Sequence, residues 1–180
     1  MARTTRRRSL PHRARTAFTT TAAAVACCLA TAAPAAAAPV TIDLPAGEAC
    51  SDFDVTLVIG DDSKRNTRTF VDRNGNEVIL TTGRAESVVV INAETDESVT
   101  VPSRGARTKQ TTNPDGSTTF ESTGNLLLVL FSTDVGGDGL TPTSTTLIAG
   151  RTVFTVDPDG VFTVQSVSGK TTDVCAVLAA

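Results

Sequence analysis

The chain has 180 residues with 16 Lys and Arg, 19 Asp and Glu and a single His. Six of the arginines fall within the first fifteen residues, so residues 38–180 hold ten cations against nineteen acids, a net charge of −9. That charge repels nucleic acid and anionic lipid. The only His is His12, so residues 38–180 have neither a Ser-His-Asp or Cys-His site nor an imidazole metal ligand. The commonest general acid–base is missing with it.

In chain order, Arg3, Arg6, Arg7, Arg8, Arg13 and Arg15 precede an Ala-rich apolar run from Ala17 to Ala30, followed by TAAPAAAAPV. This is the order of a secretory signal peptide over residues 1–37, with an A-x-A site ending at Ala37. The run is too short for a bilayer span, which takes about 20 residues. Arg7-Arg8-Ser9-Leu10 leaves a twin-arginine route open, and Ala24-Val25-Ala26-Cys27 leaves lipid attachment at Cys27 as an alternative. The exported product is expected to be secreted, with no transmembrane segment.

Cys50 and Cys175 survive processing. In an oxidising compartment they have one sensible pairing, a structural disulfide closing most of the domain. Wide separation and the lack of a Cys-x-x-Cys argue against redox work.

Residues 38–50 read as an extended lead-in and 51–180 as a single all-β domain. Phe53, Val55, Leu57 and Ile59 alternate with polar residues as a half-buried strand. Asp72-Arg73-Asn74-Gly75, Asn113-Pro114-Asp115-Gly116 and Asp157-Pro158-Asp159-Gly160 each fit a type I turn closed by a G1 bulge. They predict hairpins pairing Phe70 with Val78, Lys109 with Glu121, Gln110 with Phe120, Val156 with Phe162 and Phe154 with Val164. Ser87–Asn92 and the very apolar Asn125–Phe131 read as buried strands. Gly83-Arg84, Gly150 and Gly169-Lys170 read as turns or lead-ins, and Asp173–Leu178 as a last strand.

The sum is about eleven short strands with no helical period. Consecutive hairpins whose ends are tied by a disulfide suggest an antiparallel meander closed as a barrel or flattened barrel; a two-sheet β-sandwich is the alternative.

Cys50-x-x-Phe53-x-Val55, Gly136-Gly137-x-Gly139-Leu140, Gly150-Arg151-x-x-Phe154-Thr155 and Asp173-Val174-Cys175-Ala176 give the chain a further character. On them it resembles an uncharacterised group of small secreted actinobacterial β-rich proteins. The resemblance implies secretion and a disulfide, and no activity.

Candidate chemistry is sparse. Asp134 and Asp138, in a glycine-rich loop, are the one place where oxygen ligands suggest Ca²⁺, against plain turn chemistry, which is preferred. Asp72-x-Asn74-x-Asn76 starts like an EF-hand loop but has Glu77 where Gly is needed and Gly83 where Glu is needed. Ser63-Lys64 and Ser168-Gly169-Lys170 fall in expected turns and are set aside as nucleophile pairs. Arg104, Arg107 and Lys109 form the one basic cluster and are the candidate partner surface, against a solvated edge strand defended by charge. The expectation is a non-catalytic binding domain at or outside the cell envelope, with no cofactor and an envelope or protein partner. The alternative is a carrier of a small apolar ligand inside a β-barrel.

Overall fold

A computed structural model of the protein describes residues 38–180 except residue 103. The expected signal peptide over residues 1–37, with its expected cleavage site and Cys27, lies outside the described residues.

The strands in chain order are β1 (Val40–Leu44), β2 (Val55–Ile59), β3 (Lys64–Val71), β4 (Glu77–Arg84), β5 (Val88–Asn92), β6 (Ser98–Val101), β7 (Gly105–Thr112), β8 (Thr118–Leu130), β9 (Ser144–Val156) and β10 (Phe162–Asp173), followed by a short helix α1 (Val174–Leu178). They form two antiparallel sheets, one ordered β1-β2-β5-β6 and the other β10-β9-β8-β7-β4-β3. The favoured barrel is therefore corrected to the two-sheet alternative. The chain leaves the β3–β4 hairpin to build β5 and β6 in the smaller sheet, then returns to lay β7 beside β4. That detour splits the meander and leaves β3 and β10 as the edge strands of the larger sheet, β10 being met at its start by a parallel bridge from Val135.

All three expected turns form. At the last, Gly160 donates its N–H to the Asp157 carbonyl at 3.0 Å, Asp157 donates to that of Val161 at 3.1 Å, and Gly160 sits at φ +88°. The paired residues are those expected from the turns. The lead-in contributes β1, which pairs with β2 as an edge strand.

Two other expectations are corrected. Gly150 and Gly169 are not turns, and Gly83 lies inside β4. Strands β8, β9 and β10 run through Gly124, Gly150 and Gly169, which pair with one another in a row across the sheet. At this row the neighbouring backbones come so close that a side chain has no room: a Cβ on Gly124 would stand 2.8 Å from the Gly105 carbonyl oxygen, and one on Gly150 would strike that of Ser168. Glycine rows of this kind let a sheet fold sharply while keeping its ladder.

The segment Asp173–Leu178 is not a strand. Asp173 ends β10 and caps α1, its side chain accepting from Ala176 N at 3.0 Å. Val174 and Leu178, four apart on one helix face, are both buried.

The core lies between the sheets. Phe53, Val55, Leu57 and Val90 pack with Ala49, Cys50, Val174 and Leu178, and against Leu127, Val129 and Leu147 of the larger sheet. On the reverse of the same strands, Leu128, Leu130, Ile148 and Val164 pack with Leu140, Phe162 and Val167. Apolar side chains lie on both faces of the NLLLVLF run, yet it is not the central strand its composition suggests: residues 125–130 pair with β9 alone, because the β7 ladder ends at Thr123. Cys50 and Cys175 are bonded, with Cα atoms 5.6 Å apart, and close a separation of 125 residues. On the chain-entropy account such a link stabilises by roughly 5 kcal/mol.

Candidate functional site

The larger sheet presents two faces, and register decides which residues share them. Across the face that carries Glu121, one row reads Arg68, Leu80, Lys109, Glu121, Val153 and Ser166. The next reads Asn66, Thr82, Arg107, Thr123, Arg151 and Ser168. Lys64, Arg84 and Lys170 hold positions of the same face farther along their strands. Seven of the ten cations of residues 38–180 thus share a face on which Glu121 is the one strand acid.

Glu121 receives Lys109 Nζ at 3.1 Å on one carboxylate oxygen and Arg151 Nη2 at 2.9 Å on the other. The Lys109 hydrogen bond, then that from Arg151, holds its carboxyl below the usual range. Arg107, Lys109, Glu121, Thr123 and Arg151 line a polar hollow of about 170 Å³. Two of the three residues of the expected basic cluster therefore converge. Arg104 lies in the connection ahead of β7, off the face. Arg151 and Arg68 were missed because their membership depends on the β8–β9 and β3–β4–β7 registers, which local patterns do not carry.

The acids do other work. Asp134 accepts from Phe131 N at 2.7 Å and Phe162 N at 3.0 Å, and Asp138 from Val167 N at 2.7 Å. Asp134 staples the 131–143 loop between the end of β8 and the start of β10, and Asp138 ties it to the middle of β10. Asp62, Asp72, Asp115 and Asp157 accept from backbone N–H groups at turns and connections. Hydrogen bonds lower three of these carboxyls: chiefly the Ser87 backbone for Asp62, the Asn76 backbone for Asp72 and the Ser117 hydroxyl for Asp115. Among the described residues no group of three metal-ligating side chains gathers. Ser168 and Lys170 are not in a turn; they flank Gly169 on β10, and the Ser168 hydroxyl donates to the Arg151 carbonyl at 3.5 Å.

The opposite face holds a crease of about 350 Å³ across β4, β7 and β8 beside Gly83. Gly83 and Ala106 form part of its floor, Leu126 lines one side, and Phe120 and Phe154 line the other, stacked with centroids 4.9 Å apart. Thr81, Thr108, Gln110 and Ser122 add polar groups. The local pattern around Phe120 gives no sign of the crease, because only cross-strand register brings Gly83, Ala106 and Leu126 beside it.

No family model matches the chain, and no curated protein or solved structure is significantly similar to it.

Proposed function

We propose that this is a secreted, non-catalytic β-domain that acts by binding at or outside the cell envelope, with the cationic face of the six-stranded sheet as its contact surface. The observation that carries this reading is the convergence of Arg107, Lys109 and Arg151 on an open strand face of an otherwise acidic domain. The disulfide is compatible with export. The non-catalytic reading is supported by residues 38–180 lacking histidine, and by aspartates committed to backbone donors rather than facing one another in a cleft. Among the described residues no helix is long and apolar enough to cross a membrane.

The test is retention of the secreted protein on isolated envelope from its own host. Arg107→Glu combined with Arg151→Glu is expected to abolish retention while leaving the melting temperature within about 2 °C, since exposed charges contribute little to stability. Undiminished retention would sink the assignment of this face.

A second reading rests on the crease. Its volume is at the low end for ligand sites, and Phe120, Phe154 and Leu126 give it apolar walls. A carrier role would use this groove, not a barrel interior: Leu128 and Leu130, in the segment expected to line one, are packed in the core. Native mass spectrometry showing extra mass lost on denaturation supports the carrier; a bare monomer removes it.

A further inference from the structure

We infer that the partner of the cationic face is a linear polymer of oxyanions, a chain bearing repeated phosphate groups, held as a single strand across β3 to β9, the local cluster of cations outweighing at short range the net charge of −9 that by itself disfavours such chains. The inference rests on the binding-domain reading above and names its ligand class.

Three observations carry it. The first is spacing. Lys109 and Arg107 are two residues apart on one strand, about 7 Å, and Arg107 and Arg151 lie two strands apart with Thr123 between them, about 10 Å. Arg68 stands two strands from Lys109 on the other side. The four cations form a lane about 19 Å long, too extended for a lone phosphate and suited to successive charges on a chain. The second is chemistry. Three of the four are arginines, whose planar forks match phosphate oxygens bidentately. Thr82 and Thr123 place hydroxyls in the same row. Glu121 holds Lys109 and Arg151 in place while neutralising only one of the four charges.

The third is the frame. At one end of the strands stand the turns bearing Asp72, Asp115 and Asp157; Asp62 and Glu86 stand toward the other. A broad anionic bilayer brought onto this face would meet those acids within a Debye length of about 8 Å. A single strand crosses the sheet between those two ends and meets fewer of them, Asp72 being near enough to Lys109 to feel its charge. This separates a polymer from a lipid surface despite their shared phosphate chemistry.

The experiment measures binding of the secreted, oxidised protein to fluorescently labelled long-chain inorganic polyphosphate at several salt concentrations, beside tripolyphosphate and phosphatidylglycerol vesicles. Wild type is expected to bind the polymer with a log–log salt slope of about −3, the value for four cations on a flexible polyanion. Arg107→Glu with Arg151→Glu is expected to weaken binding at least thirtyfold and flatten the slope. Arg73→Glu, in the β3–β4 turn, should leave it within twofold. Tripolyphosphate binding as tightly as the polymer, or vesicles binding more tightly, overturns the inference. So does a lack of polymer binding. If that comes with envelope retention that the paired variant still abolishes, the surface assignment survives and only the ligand class fails. If retention is also insensitive to the variant, both fail together.

Discussion

Asp134 is 6% exposed and both of its oxygens accept backbone hydrogens, one from the strand it follows and one from the strand that begins 28 residues later. Truncation would strand two amides that the loop keeps from water. Asp134→Ala is therefore expected to cost about 2–4 kcal/mol in denaturant unfolding. Asp134→Asn, which keeps one acceptor, should cost less than half as much. Hydrogen exchange at Phe131 and Phe162 should quicken in the alanine variant; equal stabilities for the two variants would refute the staple. In the sequence Asp134 was visible only as a turn residue or, with Asp138, as an oxygen ligand for Ca²⁺. Its role depends on an amide far along the chain. Arg151 escaped notice for the same reason: its neighbours on the surface are Glu121 and Arg107, neither close to it in sequence.

The decisive elements are the long strands β8, β9 and β10 and the glycines that cross them. The hairpin turns were legible because their chemistry is local: a Pro or Arg, an Asp or Asn and a Gly in fixed order. The close approach of the strands was not, because a glycine whose job is to let a neighbouring strand approach looks like a glycine that turns the chain. The two jobs separate under substitution. Gly124→Ala meets both a positive φ of +116° and the Gly105 carbonyl at 2.8 Å. Gly160→Ala meets only its φ of +88°, with nothing within 4 Å of the new carbon. Losses of about 3 kcal/mol and about 1 kcal/mol follow. Comparable losses at both positions would mean that strand approach is not what requires Gly124.

At the scale of the whole molecule, charge is sorted by structure. Acids concentrate at turns, where carboxylates accept from backbone amides, and cations on one strand face. The pH dependence follows. Folding lowers the carboxyls of Asp62, Asp72, Asp115 and Glu121 from ordinary values of 3.8 for Asp and 4.5 for Glu. Their contribution is complete above those values and is lost as pH falls through the lowered ones. Thermal stability should be level from neutrality to about pH 5 and decline below about pH 4; a rise on acidification would contradict the sign. The all-β class, the hairpin registers and the disulfide pairing were readable from alternation, turn residues and cysteine count. The division into two sheets was not, since nothing in the β5 sequence says that it pairs with β2 rather than β4. The helix was hidden by its brevity, although Val174 and Leu178 carried its spacing.

The disulfide and α1 also set an order in time. Val55, Leu57 and Val90 are made early, yet the core that covers them needs Leu127, Leu147 and finally Val174 and Leu178. While the chain emerges N-terminus first, the small sheet has no partner for its inner face. Its strands gain little by forming alone, so the N-terminal half stays unfolded until the rest of the chain is made. Once Cys175 reaches Cys50, contacts spanning more than a hundred residues form together. Such non-local closure makes for slow folding, and for a domain that commits to its native state only after nearly all of it has been synthesised.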